Sequence, residues 1–468
     1  MIKTVLFDQL TPVALYGEIK KVFPHEITML FESVVNTSDG NFSFIAIGVK
    51  ERIIYKNNQT YYTDEQGRKE LLEEDPFSFL QTYYKNLDQN RYKDLATQAG
   101  FGFVDGFIGF IAYDMVKVFE PTLRKYMDGL EDTLETPDLD LVRPNLILGF
   151  SHKSAKLTII DPDDKNPQLV ATIESLLHKS HQPLTIKPTI LDGEGSFAIS
   201  KERFKNIVDE AKEHIRAGDV FQMLPSNRYT QKGTIDPLSF YRVLRSKNPS
   251  PYLFLLDFED FSICGSSPEV MVRLTDGEIL LRPIAGTRKR GDTKLRDKEL
   301  EEEMLNDPKE CAEHLMLIDL GRNDVSRVAK TGTVTVPDIM RVEKYSHVMH
   351  MVSDVVAQID EGQDMFDLFR ATFTAGTMTG APKIKAMELI AKFEKLKRGF
   401  YSGSVGYFSF TGDMDSAIAI RTSLIQKDRI TLQAGAGIVA DSIPELEYLE
   451  VQNKLNALMV TLKEMEYL

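Results

Sequence analysis

The chain has 468 residues, of which 42% are hydrophobic and 27% charged, a composition typical of a globular protein with a large core. Its formal net charge of −14 argues against nucleic acid as a partner, since no basic stripe offsets it. Cys264 and Cys311 form no disulfide or metal-binding pattern, which indicates a reducing compartment. No signal peptide and no run of about eighteen apolar residues is visible, so we expect a cytoplasmic protein that does not enter a membrane.

The first 190 residues read as short strands separated by turns. Apolar runs bounded by turn residues predict strands within 42–49, 100–116 and 146–152. The polar stretch 178–196 indicates a crossing between two units. We therefore predict an N-terminal region over 1–190 and a second region over 191–468.

The second region mixes helices with strand hairpins. Ser200 is predicted to cap a helix that ends near Gly218, and a long helical pattern over 294–320 is interrupted at Asp307-Pro308. Further helices are predicted at 379–395 and 444–465, and strands at 251–257, 261–264, 269–274, 278–282, 403–410 and 429–439. Hairpins mixed with helices, without regular strand–helix–strand alternation, predict an α+β fold with mainly antiparallel sheets.

Two helices carry unusual carboxylates. After Asp307 as the N-cap, Glu310 fits the capping-box position, whereas Glu313 lies among apolar neighbours where an unpaired carboxylate is costly. A second capping-box pattern at 442–445 precedes Glu447 and Glu450, which share one helix face with Lys454. Taken alone, an exposed acidic face is the better explanation of Glu447 and Glu450. If the two helices meet, their carboxylates suit a hard cation such as Mg²⁺.

Three further features have both a structural and a functional interpretation. The stretch 435–437 follows a strand and is either a tight turn or a row of backbone N–H groups that binds an anion. His350 lies in an apolar segment, where a histidine is more often a hydrogen-bonded core residue than a catalytic one. Arg421, within the apolar run 417–425, is predicted in mid-strand and needs an anion, either a buried carboxylate or a substrate carboxylate.

Read in order, these features resemble the motifs of the chorismate-utilising enzyme family. The matching segments are 265–269, 283–287, 309–314, 319–324, 375–383, 417–422 and 435–439, followed by Glu447, Glu450 and 453–454. The resemblance implies a layered α/β/β/α sandwich and an Mg²⁺-dependent reaction of chorismate. Within the family, the chain is most similar to the large subunits of anthranilate synthase.

The choice of reaction rests on two positions. Family members that add water carry a lysine where this chain has Gln222, and aminodeoxychorismate synthases commonly carry a lysine where this chain has Ala285. Both departures favour ammonia as an external nucleophile and anthranilate as the product. An aminodeoxychorismate synthase with an atypical loop and an inactive tryptophan-binding regulator remain as alternatives.

The resemblance also implies a role for individual residues. Glu269 acts as the general acid and His350 handles protons. Glu313 and Glu450 hold Mg²⁺, with Glu310 and Glu447 in or near its outer shell. The substrate contacts are Gly286, Thr287, Thr377, Tyr401, Arg421, Gly435, Ala436, Gly437 and Lys454.

Two partners beyond chorismate are implied. Neither cysteine has the setting of a glutaminase nucleophile, so ammonia is expected from a separate glutamine amidotransferase subunit in a hetero-oligomer. Tryptophan is expected as a feedback inhibitor, because two segments resemble the tryptophan site of the large subunits. The residues concerned are Leu30, Glu32, Ser33, Pro251, Tyr252 and Leu253.

Overall fold

The computed structural model describes residues 1–33, 42–179, 181–345 and 348–466. The helices are α1 Pro12–Val22, α2 Pro76–Lys85, α3 Gln89–Ala99, α4 Val116–Phe119, α5 Arg124–Met127, α6 Pro167–Leu177, α7 Lys201–Arg216, α8 Pro237–Lys247, α9 Lys294–Leu305, α10 Pro308–Ser326, α11 Met365–Thr372, α12 Lys383–Glu394 and α13 Pro444–Glu464. Short 3₁₀ helices cover Tyr113–Met115, Pro121–Leu123 and Gly376–Met378.

The strands follow in chain order. They are β1 Ile2–Leu6, β2 Thr28–Glu32, β3 Phe42–Ile47, β4 Glu51–Lys56, β5 Gln59–Thr63, β6 Lys69–Leu72, β7 Gly106–Ile111, β8 Leu139–Arg143, β9 Leu146–Ser151, β10 Lys156–Ile160, β11 Ile190–Leu191, β12 Ser196–Phe197, β13 Gln222–Met223, β14 Ser226–Thr234, β15 Tyr252–Asp257, β16 Phe261–Ser267, β17 Val270–Thr275, β18 Glu278–Leu281, β19 Ile284–Lys289, β20 Arg341–Lys344, β21 Val348–Val352, β22 Val355–Gln358, β23 Gly380–Ala381, β24 Ser404–Ser409, β25 Met414–Ile418, β26 Thr422–Gln426 and β27 Arg429–Gly435.

Two large antiparallel sheets organise the chain. A 12-stranded sheet has the order β1-β10-β9-β3-β2-β15-β16-β26-β27-β14-β11, with β12 also paired to β14. A 10-stranded sheet has the order β22-β18-β17-β25-β24-β7-β8-β4-β5-β6, and a small sheet β19-β21-β20 lies apart from both. Each large sheet contains strands from both sides of residue 190, so the two predicted regions share their sheets, and the boundary itself stays a prediction.

Apolar side chains on the two faces of the 12-stranded sheet build separate cores. Along β2, Met29 belongs to the core between the sheets, whereas its neighbour Leu30 belongs to the core under the helices. This alternation is the period of two expected of a strand that is buried on both faces. Helices α1, α6, α7, α8, α12 and α13 contribute to the second core, while α2 and α11 contribute to the first through Phe77 and Phe366. Helices and the two antiparallel sheets therefore pack together as the predicted α+β fold requires.

Local signals at helix ends were read correctly in two cases and wrongly in one. Ser200 Oγ accepts a hydrogen bond from the Arg203 N–H, and Asp307 caps α10 with Pro308 as its first residue. The capping box predicted at 442–445 is wrong, because the N-cap is Ile443 and the Glu445 carboxylate pairs with Lys201 at 2.5 Å. An ion pair between helices has replaced the local interaction.

The predicted mid-strand position of Arg421 is also wrong. Arg421 lies between β25 and β26 with a φ of 49°, so the apolar run 417–425 contains a sharp turn. The turn takes the Arg421 side chain out of the sheet and towards a cavity.

Over the described ranges, no helix is long and apolar enough to cross a membrane.

Candidate functional site

Most of the residues predicted for catalysis, substrate binding and metal binding meet around a cavity of about 860 Å³, called here the large cavity. Its walls come from β19, β21, the first turns of α10, the first half of α13 and the loops that carry Thr377, Arg421 and Gly437. The predicted site residues among its lining are Gly286, Thr287, Glu310, Glu313, His350, Thr377, Arg421, Gly437, Glu447, Glu450 and Lys454. The structure therefore brings together residues that are far apart in the sequence.

Glu269 lies directly behind Thr377, between β16 and β17. It is only 6% exposed, and Thr377 Oγ1 donates a hydrogen bond of 2.9 Å to Glu269 Oε1. Burial raises the pKa of Glu269 to about 8, although the Thr377 hydrogen bond and the charges of Arg421 and Lys454 oppose the shift. The carboxyl group is therefore protonated at neutral pH, as a general acid must be.

His350 is held through one of its two ring nitrogens. Its Nδ1 lies 3.1 Å from the Gly286 carbonyl oxygen and 3.0 Å from Thr287 Oγ1. Because a carbonyl can only accept, we assign the proton to Nδ1, which leaves the Nε2 lone pair available. Burial lowers the pKa of His350, so the ring is neutral at physiological pH and can act as a base.

Gly286 has a φ of +57° that disfavours any side chain. A Cβ at this position would also lie 3.1 Å from Glu310 Oε2. The bare backbone allows the Gly286 carbonyl to reach His350 while Glu310 stays close behind it. Gly286 thus contributes its carbonyl group and its lack of a side chain.

The two acidic helices face the same cavity, as the metal hypothesis requires. Gln222 Nε2 donates a hydrogen bond of 2.9 Å to Glu313 Oε1. The pKa of Glu313 is raised by burial and then by the charges of Glu310 and Glu450, while burial and the Glu450 charge raise that of Glu447. These carboxylates destabilise one another's ionised forms in the absence of a cation.

Two of the four carboxylates already have basic partners. Arg288 Nη1 lies 2.8 Å from Glu310 Oε1, and Lys454 Nζ lies 2.8 Å from Glu450 Oε1. The expected capping-box role of Glu310 is therefore replaced by an ion pair with Arg288. In the parts of the chain that the structure describes, no three His, Cys, Asp or Glu side chains come close enough to form a ready-made metal cluster.

The carboxylates nevertheless fit a hard divalent cation. They offer only oxygen donors, and neighbouring carboxylates add to burial in raising the pKa values of Glu313 and Glu447, an effect that a cation would offset. Glu450 would have to exchange its contact with Lys454 for the metal. Mg²⁺ at this site stays a prediction.

Arg421 places a cation at the wall of the large cavity. Among the residues described, no carboxylate lies within 4.0 Å of its guanidinium, and burial lowers its pKa. Of the two partners left open by the sequence, a buried ion pair is therefore not found. The remaining partner is an anionic group of a ligand that enters the cavity.

The stretch 435–437 reaches the cavity at one residue. The Gly435 carbonyl accepts a hydrogen bond from Lys454 Nζ at 2.9 Å, and the Ala436 N–H donates to the Pro225 carbonyl at 3.2 Å. Ala436 is thus not available as an N–H donor to a ligand, contrary to the predicted row of free N–H groups. Gly437 lines the cavity, and a Cβ there would lie 2.6 Å from Gln222 Nε2.

Tyr401 is buried outside the large cavity and packs against Arg398. It is 3% exposed, does not line the large cavity, and has its ring 5.5 Å from the Arg398 guanidinium. Its contact with substrate stays a prediction, and burial raises its pKa above the usual range for tyrosine.

The sequence did not reveal Tyr345, a residue of the large cavity, or Arg288, the partner of Glu310. Tyr345 lines the large cavity, and the centroid of its ring lies 5.7 Å from that of His350 in an edge-on arrangement. Arg288 holds Glu310, as described above. Neither has a sequence pattern of its own, and only their positions beside 283–287 and His350 mark them as candidates.

A second cavity of about 360 Å³, called here the aromatic cavity, lies between the two large sheets. Five of the six residues predicted for a tryptophan site line it: Glu32, Ser33, Pro251, Tyr252 and Leu253. The rings of Phe31, Phe44, Phe101 and Tyr407 supply an apolar wall, and Arg273, Arg282, Glu343 and Asp415 supply charges. The cavity thus combines a surface suited to an aromatic ring with groups suited to an ammonium and a carboxylate.

Two predicted residues of β2 direct their side chains away from the aromatic cavity. Leu30 is fully buried in the core under the helices. The Glu32 carboxylate accepts hydrogen bonds from Tyr241 at 2.6 Å and from Arg245 at 2.8 Å, both of α8. Leu30 therefore contributes to the packing of β2 rather than to the cavity. Glu32 lines the aromatic cavity, but its carboxylate is already bound by α8.

Comparison with known proteins points to one family. A family described as chorismate binding enzyme matches residues 29–460. The chain is 41% identical to anthranilate synthase component 1 of Aquifex aeolicus (strain VF5), over 97% of this chain and 92% of that protein. It is 40% identical to the protein of that name from Neisseria gonorrhoeae (strain ATCC 700825 / FA 1090), over 98% of this chain and 94% of the relative.

Solved structures agree with this assignment. Anthranilate synthase component I from Streptococcus pneumoniae TIGR4 has a TM-score of 0.77 and 34% identity, over 97% of this chain and 98% of that chain. The menaquinone-specific isochorismate synthase from Escherichia coli has a TM-score of 0.73 at 18% identity, over 99% and 94% of the two chains, and shares the fold.

Proposed function

This chain belongs to the family of chorismate-binding enzymes, and from that premise we propose that it aminates chorismate at C2 with ammonia and eliminates pyruvate to give anthranilate. One arrangement carries the proposal. His350 as a neutral base and Arg421 line the large cavity, and Glu269 as a protonated acid lies directly behind Thr377 of its wall. Such a site can donate one proton, remove another and hold an anion between them.

The proposed steps use these residues in turn. Arg421 binds a carboxylate of chorismate. Glu269 protonates the C4 hydroxyl, which leaves as water while ammonia forms the new bond to C2, and the resulting ammonium group releases a proton to solvent. His350 Nε2 then takes the proton from C2, and the bond between C3 and the enolpyruvyl oxygen breaks as the ring becomes aromatic. Enolpyruvate leaves and is protonated to pyruvate.

The surroundings of the nucleophile support amination from outside. Ala285 lines the large cavity with a methyl group that can form no bond to the ring. Gln222 cannot act as a base, and its Oε1 is buried without a hydrogen-bond partner among the described residues. That oxygen can accept a hydrogen bond from an incoming ammonia molecule. The rival reaction of the same family, which gives a 4-amino product, commonly uses a lysine at the position of Ala285, and this chain lacks it.

The function is tested by the product. The purified chain is incubated with chorismate, Mg²⁺ and ammonium, and anthranilate is followed by its fluorescence and identified by chromatography. Anthranilate is expected, and Glu269→Gln should reduce its formation by about 10²- to 10⁴-fold, the usual contribution of a general acid. A 4-amino product would assign the chain to the rival reaction, and the absence of any product would favour the inactive regulator.

Mg²⁺ dependence belongs to the proposal. Glu313 and Glu450 would hold the ion, with Glu310 and Glu447 nearby, and the bound ion would neutralise the ring carboxylate of chorismate. Glu450→Gln should raise the Mg²⁺ concentration needed for half-maximal activity. Glu445→Gln is the matched control, because Glu445 is on the same helix but pairs with Lys201. Equal Mg²⁺ dependence in wild type and Glu450→Gln would exclude Glu450 as a ligand.

A separate glutaminase subunit is the proposed source of ammonia in a hetero-oligomer. Cys264 is buried, with its thiol pKa raised by that burial, and the Cys311 thiol lies 3.2 Å from the Leu305 carbonyl. Neither is an activated nucleophile. Exposed Leu446 and Leu449 on α13, beside Glu447 and Glu450, offer an apolar docking surface next to the large cavity.

The docking surface can be tested separately from catalysis. Leu446→Asp with Leu449→Asp should lower glutamine-dependent activity with the amidotransferase subunit and leave ammonium-dependent activity within about threefold, the range expected of surface substitutions. Val460→Asp is a control, since Val460 is also exposed but lies farther along α13. Loss of both activities would place these leucines in the catalytic fold.

Tryptophan is the proposed inhibitor, bound in the aromatic cavity. The aromatic wall fits an indole ring, while Glu343 and Arg282 offer partners for its ammonium and carboxylate groups. Because the chain contains no tryptophan, indole fluorescence anisotropy reports the ligand alone. We expect saturable binding and inhibition in wild type and weaker binding in Ser33→Leu. Unchanged inhibition in Ser33→Leu would exclude this cavity.

A further inference from the structure

Tyr345 forms part of the partition between the two cavities. It lines both the large cavity and the aromatic cavity, a property it shares with Pro268. Its ring faces His350 edge-on, with the ring centroids 5.7 Å apart. A change in the position of this side chain is therefore felt directly by His350.

The hydroxyl of Tyr345 belongs to the other cavity. It donates a hydrogen bond of 2.8 Å to Glu343 Oε2, and Glu343 Oε1 accepts from Arg341 Nη2 at 2.9 Å. Arg341 and Arg282 both bind the Asp354 carboxylate, at 3.0 Å and 2.6 Å. Glu343 and Arg282 line the aromatic cavity. A ligand with an ammonium or a carboxylate group would compete for partners within this network.

The backbone of Tyr345 is held more firmly than its side chain. Its N–H donates to the Val348 carbonyl at 2.8 Å, and its carbonyl accepts from Arg290 Nη1 at 2.6 Å. In contrast, the bond to Glu343 is the one hydrogen bond of the hydroxyl seen within the described ranges. Displacement of that bond would free the ring to rotate about its own side-chain bonds while the strand stays in place.

We propose that Tyr345 couples the aromatic cavity to His350. An ammonium group that binds Glu343 draws this carboxylate away from the Tyr345 hydroxyl, and the ring then leaves its position against His350. The His350 ring, held at Nδ1 by Gly286 and Thr287, loses the contact that fixes its orientation towards C2 of the substrate. The inference rests on the proposed binding of tryptophan, and it assigns Tyr345 as a positioning residue through which that binding lowers the rate.

The test separates ligand binding from its effect on the rate. For Tyr345→Phe, the ratio of activity at saturating tryptophan to activity without it is measured with ammonium as the nitrogen source, and tryptophan affinity is measured by indole anisotropy. Allosteric couplings are usually about 5- to 150-fold. We expect the activity ratio to rise by at least about 5-fold relative to wild type, while tryptophan still binds.

Tyr252→Phe is the matched control. Tyr252 lines only the aromatic cavity, and its hydroxyl also donates to a carboxylate, Asp415 Oδ1, at 2.8 Å. This variant should need more tryptophan for half-maximal inhibition but should reach the same residual activity at saturation as wild type. It removes a tyrosine hydroxyl from the cavity without touching the contact with His350.

A second variant tests the positioning role without any inhibitor. Tyr345→Leu removes the ring and should lower kcat more than it raises KM for chorismate. Tyr345→Phe keeps the ring but lacks the bond to Glu343, so its kcat without tryptophan should fall towards that of tryptophan-inhibited wild type. A merely structural role would lower the unfolding temperature without this kcat-specific loss.

The outcomes distinguish the two proposals. If tryptophan neither binds nor inhibits wild type, the proposed inhibition fails. If it binds and inhibits wild type but lowers the activity of Tyr345→Phe by the same factor as that of wild type, inhibition stands and the role of Tyr345 is refuted.

Discussion

Thr377 restrains the pKa of Glu269, so the removal of its hydroxyl should raise that pKa further. Thr377 Oγ1 donates a 2.9 Å hydrogen bond to Glu269 Oε1. Hydrogen bonds to charged groups contribute about 1.5 to 3 kcal/mol and those between neutral groups about 0.5 to 1.5 kcal/mol. The difference of about 1 to 1.5 kcal/mol favours the ionised carboxylate and corresponds to about one pH unit.

The sign of the effect follows from the role of Glu269. As a general acid it must be protonated, so activity falls as pH rises through its pKa of about 8. Thr377→Val should therefore move the alkaline limb of kcat/KM upward by about one pH unit. Thr377 also lines the large cavity, so the variant can lower the plateau, but only the midpoint reports the pKa.

The assay measures anthranilate formation across the pH range. The concentration of free ammonia, rather than of total ammonium, is held constant, because ammonium itself titrates in the alkaline range. Free Mg²⁺ is buffered, and kcat/KM for chorismate is fitted to obtain the alkaline midpoint. Thr377→Ser is the control, since it keeps the hydroxyl and should keep the wild-type midpoint.

Two results would refute this reasoning. An alkaline midpoint shared by wild type and Thr377→Val would show that the limb does not report a Glu269 carboxyl controlled by this hydrogen bond. A midpoint that moved downward would contradict the sign of the interaction.

Three further predictions concern the other groups of the site. Arg421→Met should raise KM for chorismate by about 10- to 150-fold, because a charge-assisted hydrogen bond to the substrate is lost. The unfolding temperature should not fall, because Arg421 has no ion-pair partner among the described residues. A lower unfolding temperature would reveal a structural role. His350→Asn keeps a donor near the Gly286 carbonyl but lacks Nε2, so kcat should fall by about 10²- to 10⁴-fold at unchanged stability, and near-normal kcat would exclude His350 as the base. The raised pKa of Glu269 stabilises the fold fully at pH below about 4.5, and this contribution is lost as pH rises through about 8. Thermal scans should therefore show Glu269→Gln losing less stability than wild type between about pH 4.5 and 8, and parallel losses over that range would contradict the shift.

The fold was largely predictable because its signals are local. The break at Asp307-Pro308 and the cap at Ser200 depend on atoms within one helical turn, and both were read correctly. The turn at Arg421 was missed because an apolar run on both sides hid a reversal that needs only one residue of positive φ. The capping box predicted at the start of α13 was wrong because Glu445 forms an ion pair with Lys201, which is distant in the sequence.

Sequence by itself determined which chemical groups this protein has for its site, down to the absence of a lysine at Gln222 and Ala285. Only the tertiary structure decided the state of those groups. Glu269 meets Thr377 across 108 positions, and Gln222 meets Glu313 across 91. The pKa of a side chain and its available hydrogen-bond partners depend on burial and on neighbours in space, which local sequence patterns do not encode. For the same reason, the contact of Tyr345 with both cavities became visible only in the folded chain.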